Sequence, residues 1–362
     1  MKRIAICAVI VLLLVFFGIF LIHGEEPRDT SHEPVKVGML MIGSREESSW
    51  NEAHWAGMLA AAHELNLSLD CRENVSINDC SAIMDKLIKD GCRVIISTSI
   101  TFEGQVVEMA KAHPQVYFFQ ATGTRTRANL ATYMGRMYQM RYLAGIVAGS
   151  RTKTHAVCYV ATEAIPEVIR GIDAFALGVR KADPTAKIYV KYTHVWSDVN
   201  RDRAATNELL DAVPAIDVIG MHLDSYGALE MADARGVYTI GCNTDQRSRF
   251  PNTFLAAPIW NWSIFYTKYV REALNNKFEG RDYLVGAETG IVSLAQVYGE
   301  KRPETDRLIA SERSRLMDGE YDVFYGPIWD QKGVLRVAEG ESLSDKTLFQ
   351  TLDWYVEGVV LP

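Results

Sequence analysis

The chain has 362 residues, of which 48% are hydrophobic and 23% are charged, and its formal net charge is −7. This length is sufficient for two α/β lobes, and the composition is that of a globular protein and excludes a disordered chain. Because the sequence contains no long block of Lys and Arg, we expect no nucleic acid among its partners.

The N-terminal segment indicates the cellular compartment. Two basic residues precede an uncharged run from Ile4 to Ile22. A helix of this length could cross a bilayer, so we interpret residues 1–24 either as an export signal peptide or as an uncleaved membrane anchor. Residues 25–34 are polar and contain two prolines, which is typical of a tether. We therefore expect the rest of the chain to be extracytoplasmic, in the periplasm or on the outer face of the cytoplasmic membrane.

Runs typical of strands and helices alternate along the first half of the remaining chain. The first strand is followed by a polar and aromatic loop, Ser48 to Asn51, and then directly by a helix. The patterns predict strands at 35–42, 92–97 and 116–121, and helices at 52–65, 82–89, 102–112 and across 142–148.

The same alternation restarts in the second half of the chain. The patterns predict strands at 155–160, 188–192, 217–221, 237–240, 290–294 and 323–325, and helices at 166–181, 201–213, 226–234 and 264–275. Two successive sets of this kind predict an α/β fold with two lobes, each containing a parallel sheet flanked by helices, and a ligand cleft between the lobes.

Aromatic and polar residues follow the predicted strands, where ligands collect in open parallel sheets. Trp50 and Asn51 follow the first strand, and Trp196 and Asp198 follow the strand at 188–192. An indole offers a flat face for stacking, and an amide both donates and accepts hydrogen bonds. These residues are therefore candidate contacts for a flat heteroaromatic ligand. Alternatively, Trp50 lies in the core, Asn51 caps the following helix, and Trp196 only covers the end of the sheet.

Further candidates follow the later strands. Asp224 either contacts a ligand or caps the next helix, and Asp245 either accepts hydrogen bonds from a sugar diol or ring N–H or stabilises a turn. Trp260 and Trp262 line the cleft, lock a hinge between the lobes or pack in the core. The residue types and sequence positions of Trp260 and Trp262 do not decide between the cleft, the hinge and the core.

The sequence gives little sign of catalysis. It contains no phosphate-binding loop, no dinucleotide-binding fingerprint and no hydrolase or metalloprotease motif, and no cysteine spacing resembles a zinc site. We therefore predict a binding protein that is not an enzyme and that has no cofactor and no metal. Either Cys71, Cys80 and Cys92 include one disulfide, or they are buried free thiols.

Several stretches together resemble the basic membrane protein family of ABC-transporter substrate-binding proteins, which includes bacterial receptors for purines and purine nucleosides. They are Ser49–Glu52, Tyr142–Gly145, Asp217–Ser225, Gly236–Gly241 with Asp245, Gly326–Ile328 and Trp354–Val359. The resemblance implies a periplasmic-binding-protein fold of type I with three crossovers between lobes. It also implies an N-terminal lobe of 35–152 and 259–287 and a C-terminal lobe of 153–258 and 288–362.

The resemblance also suggests how a ligand binds. The ring would stack between Trp50 and Trp196, Asn51 would contact the base, and Asp245 would contact ribose. The chain departs from many relatives, however, because it lacks their lipidated cysteine and has Tyr138 and Gln139 where they carry an acidic residue. The second difference puts the nucleoside contacts in doubt and leaves room for a free base such as adenine.

These observations predict the solute-binding protein of an ABC importer, a monomer that delivers a purine base or nucleoside to a membrane permease. One alternative is a membrane-anchored sensor with the same fold. Another is an exported nucleoside hydrolase, although the sequence has no metal-binding aspartate cluster.

Overall fold

The computed structural model describes residues 33–46, 48–319 and 321–361. Within these ranges, no helix is both long enough and apolar enough to cross a membrane. The predicted signal peptide or anchor and most of the predicted tether lie outside the described residues.

Strands and helices alternate through the described chain. The strands are β1 (Val35–Leu40), β2 (Leu67–Arg72), β3 (Cys92–Ser97), β4 (Tyr117–Ala121), β5 (Leu130–Gly135), β6 (Ala156–Ala161), β7 (Lys187–Tyr192), β8 (Val218–His222), β9 (Tyr238–Ile240), β10 (Phe254–Ala256), β11 (Pro258–Trp260), β12 (Asp282–Val285), β13 (Val292–Leu294), β14 (Ile328–Trp329), β15 (Leu335–Val337) and β16 (Val359–Val360). The α-helices are α1 (Ser49–Leu65), α2 (Cys80–Lys89), α3 (Glu103–Ala112), α4 (Met137–Arg151), α5 (Pro166–Ala182), α6 (Val199–Ala212), α7 (Gly227–Ala234), α8 (Trp262–Leu274) and α9 (Pro303–Met317).

Two six-stranded parallel sheets form the two lobes. The first has the order β12-β5-β4-β3-β1-β2, and the second has the order β10-β9-β8-β6-β7-β16. The chain therefore passes between the sheets three times, after β5, after β10 and after β12. This arrangement confirms the prediction of two lobes with parallel sheets flanked by helices, whereas the exact lobe boundaries stay a prediction.

Helices α4 and α5 pack closely against each other where the chain first passes from one sheet to the other. Almost every residue of α4 is buried. Gly178 of α5 permits the close approach, because a Cβ atom there would lie 1.9 Å from the carbonyl oxygen of Tyr142. The backbones of the two helices are thus in direct contact, and this contact fixes how the first part of α5 faces the space between the sheets.

Most of the predicted elements are present, but three details differ. Helix α1 begins at Ser49 and not at residue 52, so Trp50 and Asn51 belong to its first turn. Strands β2, β5, β10, β11, β12, β14, β15 and β16 and helix α9 were not predicted. Of these, β2 is only partly buried and β5 contains few β-branched residues. The predicted strand at 323–325 is wrong: Val323 and Phe324 bury their side chains in a turn, and Tyr325 forms only an isolated bridge with Ser342.

The cysteines of the described chain are free thiols. Burial raises the pKa of Cys71 and of Cys80 to about 12 and that of Cys92 to about 11. Of the two alternatives that the sequence left open, the structure has the free thiols.

Candidate functional site

A cleft lies between the two sheets, at the carboxyl ends of their strands. Its volume is about 180 Å³, comparable with the roughly 150 Å³ cavity that accommodates benzene in an engineered protein. Residues from both lobes line it. They come from the segments that follow β1, β3, β4, β5, β6, β7, β8 and β9 and from the last residues of β5, β8 and β11. The cleft therefore has room for a small ligand that contains rings.

The wall on the side of the first lobe is aromatic. The rings of Trp260 and Trp262 stack at a centroid distance of 4.5 Å, and Trp262 stacks in turn on His54 at 4.6 Å. Trp50 meets this stack edge-on, 5.7 Å from Trp260, and its Nε1 donates a hydrogen bond to the carbonyl oxygen of Thr98 (2.8 Å). These contacts hold Trp50 and Trp260 in fixed positions at the cleft surface.

A polar network joins the two lobes beside this wall. Asn243 accepts a hydrogen bond from Trp260 Nε1 (2.9 Å), and its Nδ2 donates to Ser49 Oγ (3.0 Å) and to Asp224 Oδ1 (3.3 Å). The backbone N–H of Ser49 also donates to the carbonyl oxygen of Asp224 (2.9 Å). Desolvation, together with the nearby charge of Glu167, raises the pKa of Asp224 to about 7. Its carboxyl group therefore both donates and accepts hydrogen bonds near neutral pH.

The opposite wall is formed by Trp196, His222 and the first turns of α5, which contribute Glu167 and Arg170. Trp196 is 40% exposed and meets the ring of His222 edge-on at 5.8 Å. Burial, together with Arg141 and Arg170, lowers the pKa of His222 well below its usual range, so this imidazole is neutral. This wall combines an indole with both basic and acidic side chains.

The buried Arg141 lies beneath this wall. Its Nη1 donates to the hydroxyl of Tyr159 (2.7 Å) and to the carbonyl oxygen of Met221 (3.0 Å), and its Nη2 approaches the sulfur of Cys242 (3.3 Å). Because these contacts tie α4 to two strands of the second sheet and to the segment that follows β9, we assign Arg141 to the support of the cleft floor.

At the rim of the cleft, Glu52 of α1 contacts the second lobe. Its Oε2 accepts hydrogen bonds from the hydroxyl of Tyr226 and from that of Thr244 (3.4 Å). With the Ser49 and Asn243 contacts, these bonds link the lobes directly. The structure thus represents a closed arrangement of the two lobes.

The cleft brings together four of the residues singled out from the sequence: Trp50, Trp196, Asp224 and Trp260. The other four do not line it. Asn51 is buried on another side of α1, and Trp262 is fully buried behind Trp260. Asp198 caps α6, accepting hydrogen bonds from the N–H groups of Asn200 (3.0 Å) and Arg201 (3.1 Å), and Asp245 is an exposed turn residue that accepts one from the N–H of Arg247 (2.9 Å).

Several lining residues were not predicted as ligand contacts, notably Glu167, Arg170 and Asn243. Tyr138, which also lines the cleft, was noted only as a difference from the relatives. Arg170 is the one of these that the sequence pattern could have indicated. It is a charged residue on the buried face of an amphipathic helix, and such a residue needs a partner or a function. Within the described residues, no group of three or more His, Cys, Asp or Glu side chains is arranged to hold a metal ion.

Residues 34–316 match the sequence model of a protein family that is described as Bmp, the PnrA-like substrate-binding proteins of ABC transporters. The chain belongs to this basic membrane protein family. It is 31% identical to a putative ABC transporter glucose-binding protein of Haloferax volcanii over 90% of this chain and 81% of the relative. It is also 28% identical to a purine-binding protein of Brucella abortus over 91% of this chain and 94% of that protein.

The fold is that of solved solute-binding proteins. A solute-binding protein of an ABC transporter system from Conexibacter woesei superposes with a TM-score of 0.69 at 18% identity, over 80% of this chain and 98% of that one. The prediction of a type I periplasmic-binding-protein fold is thereby confirmed. The family consists of extracytoplasmic binding proteins and not of enzymes, so this chain binds a small-molecule solute and has an ABC permease as its partner.

Proposed function

We propose that the protein binds a purine base or purine nucleoside in the cleft and presents it to the permease. One observation carries this proposal: indole rings from both lobes, Trp50 and Trp260 on one side and Trp196 on the other, line a small closed cleft. Flat heteroaromatic rings gain roughly 1–3 kcal/mol from each aromatic side chain on which they stack.

The polar groups of the cleft suit a ring with hydrogen-bonding edges. Asp224 both donates and accepts near neutral pH, Glu167 accepts, and Arg170 donates. One relative is named as purine-binding and another as glucose-binding. We favour a purine because indole rings lie on both sides of the cleft, and a planar heteroaromatic ring can stack on them across its whole face.

The ligand would act by stabilising closure. Contacts with both lobes exist only when the cleft is closed, so a ligand that makes them shifts the population toward the closed form. The hydrogen bonds of Glu52, Ser49 and Asn243 across the cleft provide part of the closure energy without the ligand.

Thermal unfolding of ligand-free protein tests this proposal. The protein would be unfolded, dialysed and refolded to remove copurified ligand, and then scanned against adenine, hypoxanthine, xanthine, guanine, their nucleosides and glucose. A ligand at 100 times its dissociation constant adds about 2.7 kcal/mol of stability. We expect a rise in melting temperature with at least one purine and none with glucose. A rise with glucose alone would overturn the proposal.

A further inference from the structure

Arg170 is a buried cation with unused hydrogen-bond donors at the cleft. Its side chain is 4% exposed, and the structure gives its guanidinium one hydrogen bond, from Nη1 to the carbonyl oxygen of Leu348 (2.7 Å). Among the described residues no carboxylate forms an ion pair with it. Because a guanidinium carries five N–H donors, several remain available, and Arg170 lines the cleft.

The orientation of this guanidinium is fixed by aromatic rings. Its central carbon lies 3.8 Å from the centre of the Phe349 ring and 5.6 Å from that of Tyr138. Burial lowers the pKa of Arg170 to about 10, so the side chain remains a cation at neutral pH. A planar cation held between rings loses little freedom when it pairs with a ligand.

The cleft offers no free amide beside this arginine. Of the described residues that line it, the one with an amide side chain is Asn243, whose oxygen and nitrogen are already bonded to Trp260, Ser49 and Asp224. An arginine and an amide recognise different purines. Arg pairs with two adjacent acceptors, such as the O6 and N7 atoms of a 6-oxopurine, whereas Asn and Gln pair with the amino group and N7 of adenine.

Within the proposed purine-binding function, on which this inference rests, we propose that Arg170 selects 6-oxopurines over 6-aminopurines. Arg170 donates to O6 and N7 of the bound ring, and Glu167, one turn earlier on α5, accepts from a ring N–H. Adenine would instead place its amino group against a cation that has no acceptor to offer. The ligand class is therefore hypoxanthine, guanine or xanthine and not adenine.

Calorimetric titrations with hypoxanthine and adenine test this inference most cleanly, because these bases differ only in the group at carbon 6 and the associated ring proton. We expect hypoxanthine to bind the ligand-free wild type roughly 5- to 150-fold more tightly than adenine, the discrimination typical of one good bidentate pair. Arg170→Gln, whose amide could read adenine, should abolish or reverse this preference. Arg170→Lys should weaken hypoxanthine binding and reduce the preference.

Arg180→Gln is the matched control, because Arg180 is on the same helix and pairs with Glu357 away from the cleft. It should leave the preference at the wild-type value. Melting temperatures without ligand would show whether each variant is folded, and the wild-type ratio stands even if Arg170→Gln does not fold.

Two failures can be told apart. If purines bind but wild type takes adenine as tightly as hypoxanthine, or if folded Arg170→Gln keeps the wild-type ratio, the role of Arg170 is overturned and the purine proposal survives. If neither these bases nor xanthine, guanine or the purine nucleosides bind, the proposed function fails, and this inference fails with it.

Discussion

The ionisation of Asp224 gives the sharpest quantitative prediction. Its carboxyl group is desolvated at the closed contact between the lobes, and its pKa is raised from 3.8 to about 7. Between these two values the unfolded chain carries the charge and the folded protein does not, so the folded state binds more protons. Stability is therefore lost as the pH rises from about 4 to about 7.

The size of this effect follows from the shift. About three pK units at 1.36 kcal/mol each give about 4 kcal/mol over the whole window, of which about 2.5 kcal/mol falls between pH 5 and pH 8. Both figures are upper limits, because Asp224 retains some contact with solvent through the cleft. Asp224→Asn keeps the shape of the side chain and the backbone hydrogen bonds to Ser49 and Trp196. Its amide does not ionise in this pH range.

The assay is urea unfolding of ligand-free protein at several pH values between 5 and 8. We expect Asp224→Asn to become progressively more stable relative to wild type as the pH rises, approaching a gain of 2.5 kcal/mol at pH 8 relative to pH 5. Asp245 is an exposed aspartate outside the cleft, so the difference in unfolding free energy between Asp245→Asn and wild type should stay constant over this pH range. A difference between Asp224→Asn and wild type that stays constant across this range would refute the reasoning.

Three further predictions concern residues that do not touch the ligand. Asp198→Ala removes the cap of α6 and should cost about 1 kcal/mol in urea unfolding with purine affinity unchanged; a large loss of affinity would place it in the site instead. Gly178→Ala places a Cβ atom against the carbonyl oxygen of Tyr142 and should destabilise the fold by at least about 1–3 kcal/mol in urea unfolding. Gly104→Ala is the control: its Cβ atom meets no other atom within 4 Å, so it should not destabilise the fold. Glu52→Gln weakens its two bonds to the second lobe and should reduce purine affinity several-fold by calorimetry; unchanged affinity would mean that these bonds do not contribute to closure.

The fold was largely predictable because periodicity is local information. Alternating strand and helix patterns marked most elements. The exceptions were helix α9, several strands of two to four residues, and β2 and β5, whose burial or composition is atypical. The strand-end rule also located Trp50, Trp196 and Asp224, since side chains that follow parallel strands share one edge of a sheet.

The remaining site residues depend on geometry that the sequence does not carry. Successive helical residues point about 100° apart, so once α1 begins at Ser49, Trp50 and Asn51 cannot both face the cleft. Asp198 is engaged by the N–H groups of its own helix. Arg170 acquires its orientation from Leu348 and Phe349, which are almost half the chain away.

The central claim is that a purine ring lies between Trp50 and Trp196. The measurement that tests it most directly is the calorimetric affinity of Trp50→Ala and Trp196→Ala for the purine that gives the largest thermal shift. Trp329→Ala, an exposed Trp on the β14–β15 hairpin, is the control. The account predicts a loss of roughly 5- to 150-fold for each cleft variant and none for the control. Affinities of both cleft variants within twofold of wild type would contradict it.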